Sequence, residues 1–486
     1  MNIEKNSRVL CWEDSFVATK NNLTITQHKP TKQNVAIVCD EAWEGNHCGY
    51  ACFMKVGDKY RAYYRASKGG AHADGSMDWG FGVLCVAESL DGIHFTKPNI
   101  GKHDYDGSNF NNIVYVREGG IGFDNFSVFY DNNPNCPKDE KFKALSSVPR
   151  TGGGADLGYF ASEDGYDFRF VRTLPIEGAF DTYNVMIWDE ARQKYYIYFR
   201  NYHTNSGNAC PYAKDNETQG VRDISVATSD DFENWEVHGR LLYGEDDLDL
   251  QFYTNQMVKY NRTRDYFIGF PMRYIDRVAD KRSIDQMPNG KLHQTWVKAC
   301  GRGGTAMTDS ALIFSNDGRN FIRKNEAFLR PGPENQYNWW YGDSMVFYGL
   351  YETPAEISGA PNELSFFVSE NYRVKNSSFR RYTMRLDGFF SWYAPYCGGE
   401  ILTKPITVDG SALHLNFATS ALGGVTVTLC DENENELEGY QSYTMFGDSV
   451  DRPVEFEKSL EDLKGKQVRL KIKMQDAHLY SFVFLD

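Results

Sequence analysis

Five acidic residues stand just ahead of, or at the start of, short apolar runs: Glu44, Asp124, Asp181, Asp249 and Asp343. Cleaving a glycosidic bond takes two carboxyl groups flanking the acetal, one protonated and one ionised. Carboxylates gathered in one place push their pKa values apart, so one keeps its proton near neutral pH. On this reading Glu44 is the general acid, Asp124 or Asp181 is base or nucleophile, and Asp343 is a further catalytic candidate. Planar polar groups and flat rings suit the recognition of a neutral sugar. Trp43, Tyr183, Asn184, Gln251, Tyr253, Trp339 and Trp340 lie beside the same openings and are candidate subsite residues. Arg65 and Arg273 are expected to bind sugar hydroxyls or to hold the carboxylates. The competing reading of each Asp is a turn tie at the start of a strand.

Other chemistries find no motif. The sequence has no GxSxG, no Walker loop and no CxxC pair, and its ten histidines show no ligand spacing. No metal and no cofactor is expected.

The acids are far apart in sequence, so the fold must converge them. Repeats indicate how. Ser89-Leu90-Asp91-Gly92, Ser162-Glu163-Asp164-Gly165, Ser229-Asp230-Asp231-Phe232 and Ser315-Asn316-Asp317-Gly318 share one pattern, each with an aromatic three residues beyond. Apolar strand, Asp-Gly turn and second strand make a hairpin signature, so these four Asp residues are read as structural. A second repeat opens each unit: Tyr50-Ala51-Cys52-Phe53, Phe123-Asp124-Asn125-Phe126, Phe180-Asp181-Thr182-Tyr183, Asn255-Gln256-Met257-Val258 and Asp343-Ser344-Met345-Val346. Five openings with almost no helical periodicity predict an all-β, five-bladed β-propeller, whose radial repetition leaves only short sheet edges. The texture changes near residue 396, where Val425-Thr426-Val427-Thr428-Leu429 and similar runs predict a small β-sandwich. The expected domains are residues 1–395 and 396–486.

Composition agrees with a large folded chain. Hydrophobic residues make up 41% and aromatics 15% of 486 residues. The net charge of −14 argues against a nucleic-acid partner and against strongly anionic polysaccharides, although a locally basic pocket escapes such an average. No apolar run is long enough for a membrane span. The first eight residues carry no leader pattern, so a cytoplasmic location is expected. Most of the ten cysteines are expected to be buried thiols. The oligomeric state is left open.

The run Trp43-Glu44-Gly45, Tyr60-Arg61-Ala62-Tyr63-Tyr64-Arg65, Ser89-Leu90-Asp91-Gly92 and Asn111-Asn112-Ile113-Val114 resembles bacterial proteins related to the family 32 and family 43 glycoside hydrolases. Gln251-Phe252-Tyr253, Arg385-Leu386-Asp387-Gly388-Phe389 and the closing Ala477-His478-Leu479-Tyr480-Ser481-Phe482 extend the resemblance over nearly the whole chain. It implies a five-bladed propeller with its site in the axial funnel, and a fructoside or arabinoside-like substrate. The Trp-Met-Asn-Asp-Pro-Asn and Arg-Asp-Pro signatures of the invertase-type enzymes are both missing. The rival readings are a non-catalytic carbohydrate-binding propeller and a propeller polysaccharide lyase, the latter needing a basic site.

Overall fold

A computed structural model describes residues 7–79, 82–116, 125–204, 220–244 and 248–486. The five expected blades are present, each an antiparallel sheet. Blade I comprises Gly49–Val56, Lys59–Ala66, Val83–Ser89 and Ile113–Val116. Blade II comprises Ser127–Tyr130, Phe142–Pro149, Ala155–Ser162 and Arg169–Thr173. Blade III comprises Val185–Asp189, Lys194–His203, Val221–Ser229 and Glu236–Arg240.

In blade IV, Val258–Lys259 pairs with Phe267–Gly269, and both Phe267–Gly269 and Met272–Asp276 pair with Ala306–Ser315, which also carries Ile322–Leu329. The two collinear segments are separated at Pro271, whose ring nitrogen has no proton for the ladder. Blade V comprises Tyr351–Thr353, Glu363–Glu370 and Ser378–Arg385, and its outer strand is Thr31–Val38 from near the N-terminus. One blade therefore draws on both ends of the propeller sequence, which closes the ring.

Inner strands of neighbouring blades lie side by side around the axis, with a parallel bridge from Cys52 in blade I to Tyr348 ahead of Tyr351–Thr353. Aromatic rings wedge the blades apart at a fixed angle. Phe53 stacks on Phe367 at 3.8 Å, and Phe347 and Phe379 complete that cluster.

The four repeated turns share one geometry. Each Ser Oγ donates to the Asp two residues on, at 2.8–3.1 Å, and accepts the backbone N–H of the third residue. That third residue has a positive φ, as Gly92, Gly165, Gly318 and, in blade III, Phe232 at 67°. Phe232 accepts the left-handed backbone because its ring is buried against Tyr159 and Tyr195. The turn Asp residues take backbone N–H groups on Oδ1, the structural role read from the sequence.

Two α-helices, Lys281–Gln286 and Gly290–Cys300, are inserted between two strands of blade IV. The near absence of helical periodicity gave no expectation of them. The longer helix packs Trp296 and His293 against Trp340 and reaches blade I, where Lys298 Nζ donates to the Ala73 carbonyl at 2.6 Å.

Beyond the blades lies a ten-stranded sheet. Its two 19-residue strands, Ala412–Cys430 and Gln467–Leu485, pair along most of their length with a slip between Thr419 and Gly424. Leu413, Leu415 and Phe417, then Val425, Val427 and Leu429, are all fully buried on one side, the period of two that alternation dictates. The sheet also takes Val9–Leu10, Val17–Asn21 and Thr24–Gln27 from the N-terminal region. Asp387 ties the three parts together. Its buried carboxylate accepts from Tyr260 and Arg262 of blade IV at 2.8 Å and from Ser481 at 2.6 Å, and Arg8 lies 3.5 Å away. Burial pushes this carboxyl up, but the Arg262 and Arg8 guanidiniums and their bonds win and hold it below its ordinary range.

Candidate functional site

Four of the five inner strands are entered through a kink. Tyr50, Asn125, Gln256 and Ser344 occupy matching places in four openings, two residues before Cys52, Ser127, Val258 and Val346, and all have φ between 41° and 56°. Such left-handed non-glycine residues cost about 1–3 kcal/mol each and cluster at binding and catalytic sites.

The mouth is one ring of contacts to which every blade contributes. Arg65 of blade I donates to Asn125 Oδ1 and to the Tyr372 hydroxyl, both at 2.8 Å, with its guanidinium 4.7 Å from the Tyr50 ring centre. Asn125 donates to the Asp181 carbonyl at 2.9 Å, and Thr182 donates to the Tyr253 carbonyl at 2.9 Å. Tyr253 stacks on Tyr274 at 5.7 Å and meets the edge of Tyr341 at 5.4 Å. Tyr341 packs on Tyr372 at 5.9 Å, and its hydroxyl lies 3.2 Å from that of Tyr50, which closes the circle.

Guanidinium groups are threaded between these rings. Arg200 ion-pairs with Asp181, whose side chain is 62% exposed, and lies 5.1 and 5.3 Å from the ring centres of Tyr202 and Tyr253. Arg222 sits across the sheet from Tyr202, donates to Gln251 Oε1 at 3.1 Å and approaches Tyr274 at 5.1 Å. Arg373 covers Tyr341 at 4.7 Å, and Arg302 of the inserted segment reaches Tyr274 at 6.0 Å. Cation–π contacts of this kind contribute about 0.5–2 kcal/mol each.

The field is visible in the titratable groups. Burial raises the Tyr202 phenol, yet Arg200, Arg222 and Arg302 pull it below its ordinary value. Burial, then Arg65 and Arg373, holds the His47 imidazole well down and neutral. Asp343 behaves oppositely. It sits in the turn ahead of the blade V inner strand, its Oδ2 accepting the Trp340 N–H at 2.8 Å, and burial pushes its carboxyl up to about 8.

Some of the residues singled out in the sequence meet and others do not. Arg65, Asp181, Gln251 and Tyr253 meet at the mouth, and the Asp343 turn adjoins it through Tyr341. Tyr183 lies deeper, buried, its hydroxyl 2.5 Å from Cys52 Sγ and its ring 5.8 Å from Tyr50. The others have different partners. Glu44 is fully buried, accepting from Tyr64 at 2.5 Å, Lys97 at 2.7 Å and the Glu41 N–H at 3.0 Å. Trp43 donates to Asn112 at 2.8 Å. Asn184 donates to the Phe180 and Thr182 carbonyls within its own turn. Arg273 is paired with Asp309. Trp340 is buried against His293 and Trp296, and Trp339 donates to the Gly332 carbonyl at 2.9 Å. Asp124 lies outside the described residues.

The sequence reading passed over Arg200, Arg222, Tyr202, Tyr274 and Tyr372. They come from second and third strands or from loops, away from the openings where most of the candidate residues lie. The available signal was an Arg directly after an apolar run, as in Tyr198-Phe199-Arg200. Among the described residues, no group of three or more His, Cys, Asp and Glu is arranged to hold a metal ion, and no helix is long and apolar enough to cross a membrane.

No family model and no curated protein matches the sequence. Among solved structures, the chain is similar to a glycoside hydrolase at 11% identity, with TM-score 0.46 over 74% of this chain and 92% of that one. It is similar to a glycosyl hydrolase from Bacteroides ovatus at 12% identity, TM-score 0.41, over 75% and 97% of the two chains. A β-1,2-mannobiose phosphorylase from Listeria innocua, in complex with β-1,2-mannobiose, is similar at 12% identity and TM-score 0.39, over 75% and 97%.

Proposed function

We propose that this propeller is a glycosidase whose substrate, an oligosaccharide or small glycoside, binds in the axial mouth. The carrying observation is the ring itself: all five blades deliver tyrosines, amides and guanidiniums to one circle of contacts at the openings, beside which stands an exposed carboxylate, Asp181. Stacking platforms beside planar donors suit pyranose or furanose rings. The chemistry needs one ionised and one protonated carboxyl. Asp181, stabilised as an anion by Arg200, suits the base or nucleophile. Asp343, with its proton retained to about pH 8, suits the acid. Asp124, next in sequence to Asn125, remains a candidate for a second ionised group. The bonding of Glu44 to Lys97 and Tyr64 favours a buttressing role for it over proton transfer.

The test is turnover on a panel of aryl glycosides and oligosaccharides, comparing wild type with Asp181→Asn, Asp343→Asn, Asp124→Asn and Glu44→Gln. Loss of about 100-fold or more in kcat with sugar binding retained is expected for Asp181→Asn and Asp343→Asn. Unchanged turnover in both overturns these roles. A second reading, sugar binding without catalysis, is favoured by the scarcity of free carboxylates at the mouth among the described residues. It predicts binding with no cleavage by the wild type.

A further inference from the structure

The propeller axis has a second end. Lys55, Tyr130 and Tyr348 lie four or five residues past the kinked Tyr50, Asn125 and Ser344, about 13–17 Å further along the inner strands. There the strands enclose a cavity of about 200 Å³. All five blades line it, with Lys55, Tyr130, Trp188, Lys259 and Tyr348 each from a different one. The axis between this cavity and the mouth is packed. Cys52 and Tyr183 are fully buried, their sulfur and hydroxyl 2.5 Å apart, and the Val128 N–H donates to the same sulfur at 3.1 Å. The two ends are therefore separate spaces. Trp188 is the informative member of the wall. Its side chain is nine-tenths buried, and its indole N–H has no hydrogen-bond partner among the described residues. A buried donor left unmet is costly, and an acceptor normally meets it. The exposed carboxamides of Asn132 and Asn261 also line the cavity, from blades II and IV.

We propose that this cavity is a second saccharide site, which takes one neutral monosaccharide unit at the end of the axis remote from the mouth. The inference goes beyond the reading of the mouth and does not depend on it. Size limits the ligand: sites for drug-sized molecules run to about 300–1,000 Å³, so this one has room for a single ring and not for a chain. Chemistry limits it further. The rings of Tyr130, Trp188 and Tyr348 are apolar faces, while the Trp188 N–H and the two carboxamides supply donors and acceptors together, the mixture that adjacent hydroxyls match. Charge disfavours an anion. Lys259 donates to Asp189 at 2.8 Å, and Lys55 is exposed, 5.7 Å from the Tyr60 ring centre, so one ammonium is paired and the other is screened by water.

The test uses the intact chain labelled with 5-fluorotryptophan and read by fluorine NMR, in which nine indoles report. The Trp188 signal is the one lost in Trp188→Phe. Galactose, glucose, mannose, arabinose and fructose are titrated to 100 mM. Expected is a saturable movement of the Trp188 signal by at least one of them, with a Kd of roughly millimolar order. Asn132→Ala combined with Asn261→Ala should weaken that sugar at least about fivefold. Both amides are exposed, and the remaining indole signals report whether the variant is folded. If it is not, Trp188→Phe decides by calorimetry: the ring stays, the N–H goes, and affinity should fall about fivefold. A Trp188 signal that no sugar moves overturns the proposal, as does undiminished affinity in these variants. Movement by acetate or inorganic phosphate and by no sugar overturns it too, and assigns the cavity to an anion held by Lys55. Tyr253→Ala separates the two ends. If it abolishes the Trp188 response, the sugar sits at the mouth and is sensed along the strands, which overturns the proposal; an intact response supports it. Absence of glycoside cleavage with that response intact defeats the catalytic reading alone.

Discussion

Replacing Asp343 with Asn should make the protein more stable in alkali and less able to do chemistry. The wild-type carboxyl is fully buried, and burial holds its pKa at about 8 against an ordinary 3.8, despite N–H bonds from Trp340 and Trp339 that favour the anion. The folded-state value is the raised one, so the unfolded chain gives up this proton first. The contribution to stability is therefore complete below about pH 4, declines as pH rises, and levels off above about pH 8. At about 1.4 kcal/mol per pH unit, the full span is roughly 5–6 kcal/mol, an upper bound because buried ions recover some solvation by relaxation. Asn keeps an oxygen for the Trp340 N–H and carries no charge at any pH. Urea unfolding of both proteins at pH 4.5 and pH 8.5 gives the comparison. The expected gap is under about 1 kcal/mol at the lower pH and about 3–5 kcal/mol in favour of Asn at the higher. If Asp343→Asn is less stable by the same amount at both, the native carboxyl is ionised and paired, and its proposed role as acid falls with it.

Four more outcomes follow from other parts of the molecule. The turn carboxyls Asp91, Asp164, Asp231 and Asp317 are all held below their ordinary range by bonds from the turn, against partial burial in three of them. Lowered values stabilise above the unfolded pKa and lose that effect as pH falls, so unfolding should become easier from about pH 4 downward, as measured by circular dichroism; a flat acid limb contradicts this. Gly165→Ala should destabilise by about 2 kcal/mol or more, because φ is +78° and a Cβ would sit 2.3 Å from the Tyr63 hydroxyl. Gly57→Ala, at φ +59° with nothing within 4 Å, should cost only the backbone strain of about 1 kcal/mol, and equal melting shifts for the two would refute the packing argument. Asp387→Ala takes the shared carboxylate from the partly buried Arg262 and Arg8 and its bonds from Tyr260 and Ser481, and should cost about 3 kcal/mol in denaturant titrations. Deleting residues from 396 onward removes the strands that pair with Val9–Leu10 and Val17–Asn21 and uncovers one edge of Phe390–Ala394. The truncated chain should be recovered as aggregate; a soluble, cooperatively melting propeller would refute that.

The sequence by itself determined the architecture. Alternation of two, the Ser-x-Asp turns and five related openings are local signals, and a propeller is built by repeating a local unit, so Ser89, Ser162, Ser229 and Ser315 mark equivalent hairpins without any long-range information. It also indicated that the openings would surround a common axis, which brought Arg65, Asp181, Gln251 and Tyr253 into view. It did not reveal that Thr31–Val38 completes the last blade, because pairing 340 residues apart leaves no trace in local composition. Nor did it separate Glu44 from Asp181. Both precede an inner strand, yet one side chain meets Lys97 and Tyr64 in a buried pocket while the other reaches solvent beside Arg200. Which way a carboxylate points depends on the neighbouring blade, and so does its charge: Asp343 is protonated and Asp387 ionised although both are buried, since only Asp387 has guanidiniums within reach. The arginines of the mouth were hidden for the same reason. They come from separate strands and blades, and only closure of the ring places them against its tyrosines.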